Sequence, residues 1–112
     1  MLENLRQQTL APAEIVVVDN GSVDETADVA ARFGLQRIAF DRNLGFATAV
    51  NAGISAAKHE WILILNNDVE LQPDWLERAL ESVKEQDAQF VAGKILQGHA
   101  PGRLDGTWDL VT

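Results

Sequence analysis

The chain has 112 residues, of which 46% are hydrophobic and 23% are charged, and its formal net charge is −8. This composition is typical of a folded domain and excludes an intrinsically disordered chain. The negative charge argues against binding along a nucleic-acid backbone, and the lack of cysteine excludes disulfides, thiolate zinc sites and a cysteine nucleophile.

The sequence has no run that approaches the roughly 20 apolar residues needed to cross a bilayer, so we expect no membrane span. Residues Met1 to Leu10 are too polar for the apolar part of a signal peptide. We therefore expect a cytoplasmic protein.

Short apolar runs alternate with stretches of helical period, which predicts an α/β fold. The run from Ile15 to Val18 is typical of a strand that is buried on both faces of a parallel sheet. Ser22 and Glu25 then have the spacing of a capping box, so a helix is predicted to begin there. It is predicted to end at Gly34 with a left-handed cap, and a second strand follows from Leu35 to Phe40.

A second helix is predicted to begin after the segment Asn43 to Gly45. Four apolar residues then repeat at helical spacing and form one stripe. They are Phe46, Val50, Ile54 and Ala57. Trp61 to Leu65 is the most apolar run of the chain and predicts a third strand.

The last third of the chain predicts one more helix and a weaker strand. Pro73 is placed in the first turn of the helix, where proline is preferred. Phe90 to Leu96 predicts a short strand, and Gln97 to Thr112 is interpreted as a loop-like tail. Leu2, Leu5 and Gln8 have helical spacing at the opposite end.

The segment from Asp19 to Ser22 follows the first predicted strand, and open α/β sheets bind ligands at the carboxyl ends of their strands. There the Asp19 carboxylate can accept hydrogen bonds from a base or a ribose, and Gly21 allows a sharp turn. Ser22 and Asp24 have the alternative role of helix caps.

The segment from Asn43 to Asn51 begins the second predicted helix. Its small residues would let a ligand approach the backbone; these are Gly45, Ala47 and Ala49. Asn51 offers a donor and an acceptor to a ligand, or alternatively to a neighbouring loop. Phe46 is interpreted as a core residue rather than a stacking surface.

Asn66, Asn67 and Asp68 follow the third predicted strand and offer one carboxylate and two amides. A single carboxylate suits Mg²⁺ or Mn²⁺, which keep waters and take further oxygens from substrate phosphates. The alternative is that Asp68 only braces the turn before Pro73.

Together, the segments Glu14–Thr26, Asn43–Ile54 and Leu65–Val69 resemble family 2 glycosyltransferases of the GT-A fold, in the expected order and spacing. The rhamnosyltransferase-like branch, which acts in cell-surface polysaccharide synthesis, is the most similar. The resemblance covers about Leu2 to Leu96 and implies a Rossmann-like, mostly parallel sheet flanked by helices. The whole chain, 1–112, is then expected to be one partial nucleotide-sugar-binding domain.

The resemblance also implies roles for the polar segments. Asp19 would contact the nucleotide base, and Asp68 would hold Mg²⁺ or Mn²⁺ on the diphosphate. The remaining residues expected to bind the nucleoside-diphosphate sugar are Asn20, Gly21, Ser22, Asn43, Gly45, Phe46, Ala47, Asn51, Asn66 and Asn67. Asn66-Asn67-Asp68 departs from the more common Asp-x-Asp pattern of this family.

The implied reaction is an inverting transfer to a glycan or lipid-linked acceptor, at the inner face of the membrane. The family's catalytic base would lie beyond residue 112, since Asp105 and Asp109 match no base motif. The family's first strand, which lies between the strands matching Ile15–Val18 and Trp61–Leu65, is also missing. We therefore expect a fragment cut at both ends or a start codon placed too late, inactive by itself.

Two other functions are compatible with the same residues. A receiver-like regulatory module would be phosphorylated on an aspartate at a strand end, with a lysine at a later strand end; Lys94 instead falls within a predicted strand. A non-catalytic fragment would persist by self-association, because a gap in a sheet leaves unpaired backbone groups. The missing strand would leave such a gap, so we expect the chain to form a homo-oligomer.

Overall fold

A computed structural model describes residues 1–23, 25–96 and 98, together with the backbone of 104–106. The elements along the chain are α1 (Leu2–Arg6), β1 (Val16–Asn20), α2 (Thr26–Arg32), β2 (Gln36–Phe40), α3 (Phe46–Ala56), α4 (Trp75–Glu85), β3 (Ile95–Leu96) and β4 (Leu104–Gly106). They form two compact units. Unit 1 is Pro12–Val69 with Met1, and unit 2 is Leu2–Ala11 with Glu70–Thr112.

The centre of unit 1 is a parallel pair of strands, β1 and β2, joined through α2. The register places Val16 opposite Gln36 and Asn20 opposite Phe40. A parallel pair needs such a crossover, and a helix is its usual form. The predicted α/β class and both strands are therefore confirmed.

The predicted capping box is wrong, because α2 begins at Thr26 with Glu25 in the cap position, and the Glu25 side chain makes no capping bond. Ser22 therefore lies before the cap position, and its hydroxyl donates to Asp19 Oδ1 at 2.5 Å. The predicted end of the helix is confirmed. Gly34 has a φ of 65°, and the Leu35 N–H donates to the Ala30 carbonyl at 3.0 Å.

Helix α3 packs against β1, and Gly53 lies at this contact. A Cβ added at Gly53 would lie 3.2 Å from the Val18 side chain, so glycine allows a close approach of helix and strand. Phe46 is 69% exposed and Ile54 is 42% exposed. The other two residues of the predicted stripe, Val50 and Ala57, are half-buried. The stripe is therefore confirmed at only two of its four positions, and the core role of Phe46 is wrong.

The predicted third strand is also wrong, since residues 61–66 are in no strand and Trp61 to Ile64 are exposed. A strand needs a neighbour for its backbone hydrogen bonds. Within the described ranges, the strand pairs are β1 with β2 and β3 with β4. The apolar run has the composition of a buried strand but lacks a partner strand there.

In unit 2, two side chains near α1 bind the backbone that leads into α4. The Asn4 amide donates to the Leu71 carbonyl at 2.9 Å and accepts from its N–H at 3.0 Å. Gln8 is buried, donates to the Gln72 carbonyl at 2.8 Å, and accepts from the Leu76 N–H at 3.2 Å. Gln8 thus satisfies a free N–H in the first turn of α4, where the chain's own cap residue supplies no side-chain bond.

In the remainder of unit 2, the predicted helix is confirmed, but its start and the strand that follows it differ from the prediction. Helix α4 begins at Trp75 with Asp74 in the cap position, so the predicted place of Pro73 in the first turn is wrong. Val83 of this helix is buried. The predicted strand Phe90–Leu96 is reduced to β3, which pairs antiparallel with β4 inside the predicted loop-like tail.

The remaining tail residues, including Asp109, lie outside the described residues, as does Asp24. Among the described helices the longest, α3 and α4, have 11 residues each. None is long and apolar enough to cross a bilayer.

Candidate functional site

Asp19 lies near the end of β1, and the residue is 4% exposed. Its Oδ1 accepts two hydrogen bonds from Ser22, one from the backbone N–H at 2.8 Å and one from the hydroxyl at 2.5 Å. These bonds close the 19–22 segment into a turn. Ser22 is therefore a support of that turn in this structure and not a helix cap.

Arg37 binds the other oxygen of the same carboxylate. Its Nε and Nη2 donate to Asp19 Oδ2 at 3.2 and 2.5 Å. The register explains the contact, because Asp19 lies opposite Ala39 and Arg37 is two residues earlier on the same face of β2. Alternation along a strand places Arg37 and Ala39 on one face of β2, but only the register of β1 and β2 pairs Arg37 with Asp19.

The surroundings of Asp19 favour its charged form. The Ser22 hydroxyl, then the Arg37 hydrogen bonds, then the Ser22 N–H lower the pKa of Asp19 to about 2, against the opposing effect of burial. A carboxylate has about four lone-pair positions, and four protein donors bind these two oxygens. A hydrogen bond to a nucleotide base would have to replace one of them.

Asn20, the next residue, connects β1 to the loop before α3. Its Nδ2 donates to Asn43 Oδ1 at 3.0 Å and to the Gly45 carbonyl at 3.2 Å. Its Oδ1 accepts from the Leu44 N–H at 2.8 Å. Asn43 Oδ1 also accepts from the Gly45 N–H at 2.8 Å, which fixes the loop locally.

Gly21 brings the two segments into direct backbone contact. Its φ is 79°, and a Cβ added there would lie 2.6 Å from the Asn43 nitrogen and against the Arg42 backbone. Only glycine fits this conformation and this spacing. The structure thus brings together the first two of the predicted polar segments.

The first turn of α3 is open to solvent beside this loop. Gly45, with a φ of 91°, precedes the helix, and no side chain caps the first turn. Phe46, Ala47 and Asn51 are exposed. Within the described ranges, no hydrogen bond ties Asn51 to a neighbouring loop, so its amide faces solvent unpaired. The N–H groups of this turn are available to an anionic ligand.

The third predicted segment is separate from the hydrogen-bonded network of the first two. Asn66, Asn67 and Asp68 are exposed, and the turn is closed by the Val69 N–H to the Asn66 carbonyl at 3.4 Å. Among the residues that the structure describes, no side-chain bond from Asp68 braces this turn. Of the described His, Cys, Asp and Glu side chains, no three are clustered in a way that could hold a metal.

The donor set of Asp68 still fits a metal that is held mainly by its substrate. One exposed carboxylate can supply one oxygen, while water and phosphate oxygens supply the others, as Mg²⁺ prefers. Asp68 therefore suits an ion that is shared with the substrate phosphates, and not one that is enclosed by protein ligands alone.

Three relatives show what the chain is similar to. It is 35% identical over 97 residues to glycosyltransferase GlyG of Streptococcus pneumoniae, covering 82% of this chain and 32% of that one. It is 37% identical over 97 residues to the succinoglycan biosynthesis protein ExoO of Rhizobium meliloti, covering 84% and 28%. A PGL/p-HBAD biosynthesis glycosyltransferase of Mycobacterium bovis is 32% identical over 116 residues, covering 97% and 45%.

The chain thus spans between 28% and 45% of the length of these relatives. No solved structure is significantly similar to it. The sequence model described as "Glycosyl transferase family 2" matches residues 1–106, a span that includes all three polar segments. The small α/β fold with its parallel strand pair is consistent with the amino-terminal part of that family's fold. On this match, the chain belongs to glycosyl transferase family 2.

Proposed function

We propose that this chain is the donor-binding part of an inverting glycosyltransferase that uses a nucleoside-diphosphate sugar. The main support is the joining of the 19–22 turn to the 43–45 loop by Asn20, at the carboxyl end of β1. In open α/β sheets this end is where nucleotides bind. The family match supports glycosyl transfer as the overall chemistry.

The nucleotide and the sugar would bind along the surface formed by these segments. Asn20, Gly21 and Ser22 shape one side of it, and Asn43, Gly45, Phe46, Ala47 and Asn51 form the other. Because Phe46 lies outside the core, its exposed ring is available for an apolar contact with the ligand. The unpaired N–H groups of α3 would bind phosphate oxygens.

Asp68, with Asn66 and Asn67, would hold Mg²⁺ or Mn²⁺ on the diphosphate. The ion would act as a Lewis acid that stabilises the leaving nucleoside diphosphate while an acceptor hydroxyl attacks the anomeric carbon. This chain's part is to orient the donor. We assign the catalytic base and the acceptor contacts to a part of the enzyme outside these 112 residues, since the relatives are about two to three times as long.

We further propose that the chain belongs to the rhamnosyltransferase-like branch of the family, supported by the Asn66-Asn67-Asp68 pattern. Relatives named for succinoglycan biosynthesis and for PGL/p-HBAD biosynthesis support a glycan or lipid-linked acceptor, at the cytoplasmic face of the membrane. The exposed apolar run from Trp61 to Ile64 supports self-association.

Isothermal titration calorimetry of the 112-residue chain with UDP, GDP and dTDP, each with Mg²⁺ or Mn²⁺, tests donor binding. We expect metal-dependent binding of one nucleotide, which Asp68→Ala abolishes. Asp28→Ala removes an equally exposed carboxylate on α2 and is the matched control, expected to bind normally. A chain that binds none of the three nucleotides with either metal would contradict the proposal.

The geometry of Asp19 counts against the receiver-like alternative. Phosphorylation would require an accessible carboxylate oxygen, but this side chain is buried and both oxygens accept hydrogen bonds. Lys94 precedes β3 and is not at the carboxyl end of a strand. Incubation with acetyl phosphate should therefore leave the mass of the chain unchanged.

A further inference from the structure

Arg37 lies outside the three polar segments, yet it makes two of the four hydrogen bonds to the Asp19 carboxylate. The carboxylate side chain is 2% exposed, whereas the Arg37 side chain is 34% exposed. The guanidinium therefore covers the carboxylate from the solvent side. A charged pair in this planar arrangement holds a fixed geometry, since guanidinium donors are set in a rigid fork.

Asp19 and Asn20 are neighbours at the end of one strand, and successive side chains of a strand point to opposite faces. Asp19 binds Arg37 and Ser22 on one face, while Asn20 binds the 43–45 loop. Fixing the Asp19 side chain therefore fixes the backbone that aims the Asn20 amide. The loop before α3 is in turn held by that amide.

All four acceptor positions of Asp19 are used by protein donors, so its carboxylate is engaged in support and not in ligand contact. We propose that Arg37 is a positioning residue for donor binding, which acts through Asp19 and Asn20 to order the 43–45 loop. Neither Arg37 nor the Asp19 carboxylate touches the nucleotide. The part of this inference that concerns the ligand rests on the proposed function.

The ordering of the loop can be measured without a ligand. The Leu44 N–H donates to Asn20 Oδ1 and the Gly45 N–H to Asn43 Oδ1, so both amides report on the network. In Arg37→Met, we expect hydrogen exchange at these two amides to be faster by about tenfold. Arg37→Lys keeps the charge but loses the rigid fork, so it should recover only part of the protection.

Two controls separate positioning from a general loss of stability. Arg32→Met removes an exposed arginine at the end of α2 and should leave Leu44 and Gly45 unchanged. Ala30→Gly loosens a buried position of α2, which is 2% exposed, without touching the Asp19 contacts. It should raise exchange in α2 and leave the two loop amides protected.

Nucleotide titrations then test the link to binding. With the nucleotide and metal that the unsubstituted chain binds, Arg37→Met should weaken affinity about tenfold, and Arg37→Lys, which keeps the charge without the fork, should recover part of it. Unchanged exchange at Leu44 and Gly45 in Arg37→Met would overturn the proposal, as would an equal effect of Ala30→Gly. Raised exchange with unchanged affinity would overturn the role in binding. If the unsubstituted chain binds no nucleotide, the proposed function fails, and the exchange data still decide whether Arg37 orders the loop.

Discussion

Substituting Asp19 by Asn removes the charge that binds Arg37, and its cost can be estimated from the pKa of this carboxyl. Folding lowers that pKa from 3.8 to about 2, a difference of about 1.8 units, or about 2.4 kcal/mol at 1.36 kcal/mol per unit. Solvent reaches the guanidinium, whose side chain is 34% exposed, and screens the pair. We therefore expect Asp19→Asn to lower the free energy of unfolding at pH 7 by about 1 to 1.5 kcal/mol.

The sign of the pH dependence follows from a pKa that is lower in the folded chain. The charged carboxylate stabilises the fold fully above the unfolded-state pKa of about 4, and this contribution is lost as the pH falls toward 2. The difference in unfolding free energy between the original chain and Asp19→Asn should therefore shrink across that window. The Asn variant has no such group to protonate.

Urea unfolding followed by circular dichroism at several values between pH 7 and pH 3 measures this difference. Asp87→Asn makes the same chemical change at an exposed residue with a φ of 50°, a conformation that both residues tolerate. It should change stability little at any pH. A difference for Asp19→Asn that is zero at pH 7, or that stays constant down to pH 3, would refute the reasoning.

Three other substitutions test separate features. Gly21→Ala should cost at least about 2 kcal/mol in urea unfolding, because its Cβ would meet the loop backbone at a positive φ; an unchanged midpoint would contradict this close approach. Gln8→Leu should cost about 1 to 3 kcal/mol, because it leaves two backbone groups near the start of α4 without partners; a neutral effect would show that water replaces the side chain. We expect the chain to sediment as a dimer or a larger assembly. The double variant Trp61→Glu, Ile64→Glu should sediment as a monomer, whereas Phe90→Glu, also at an exposed position, should leave the assembly unchanged. A parent chain that sediments as a monomer would contradict this.

The parts of the fold that sequence reasoning predicted correctly depend on local patterns. The strand from Val16, the helix end at Gly34 and the course of α4 each follow from side chains within a few residues. Trp61–Leu65 has an equally clear apolar pattern, but a strand also needs a partner, and composition carries no information about partners. The capping box failed because α2 begins at Thr26 with Glu25 in the cap position, so Ser22 lies too early in the chain to cap it.

For the candidate site, too, the sequence predicted one part correctly and missed another. The meeting of the 19–22 and 43–45 segments follows from the rule that parallel strands end at one edge of a sheet. Arg37 was missed because its partner depends on strand register, which places it diagonally across from Asp19. The exposure of Phe46 was missed because α3 approaches β1 at Gly53, and the size of a side chain does not reveal which helix face is covered.

Unit 2 is built from two stretches of chain that are far apart in sequence, and this sets an order for its folding during synthesis. Asn4 and Gln8 emerge first from the ribosome, but their partners, Leu71 and Gln72, are made 67 and 64 residues later. The contiguous segment 12–69 of unit 1 is complete before either contact can form. Unit 1 can thus fold first, whereas Asn4 and Gln8 gain their partners only after the segment that leads into α4 has been made.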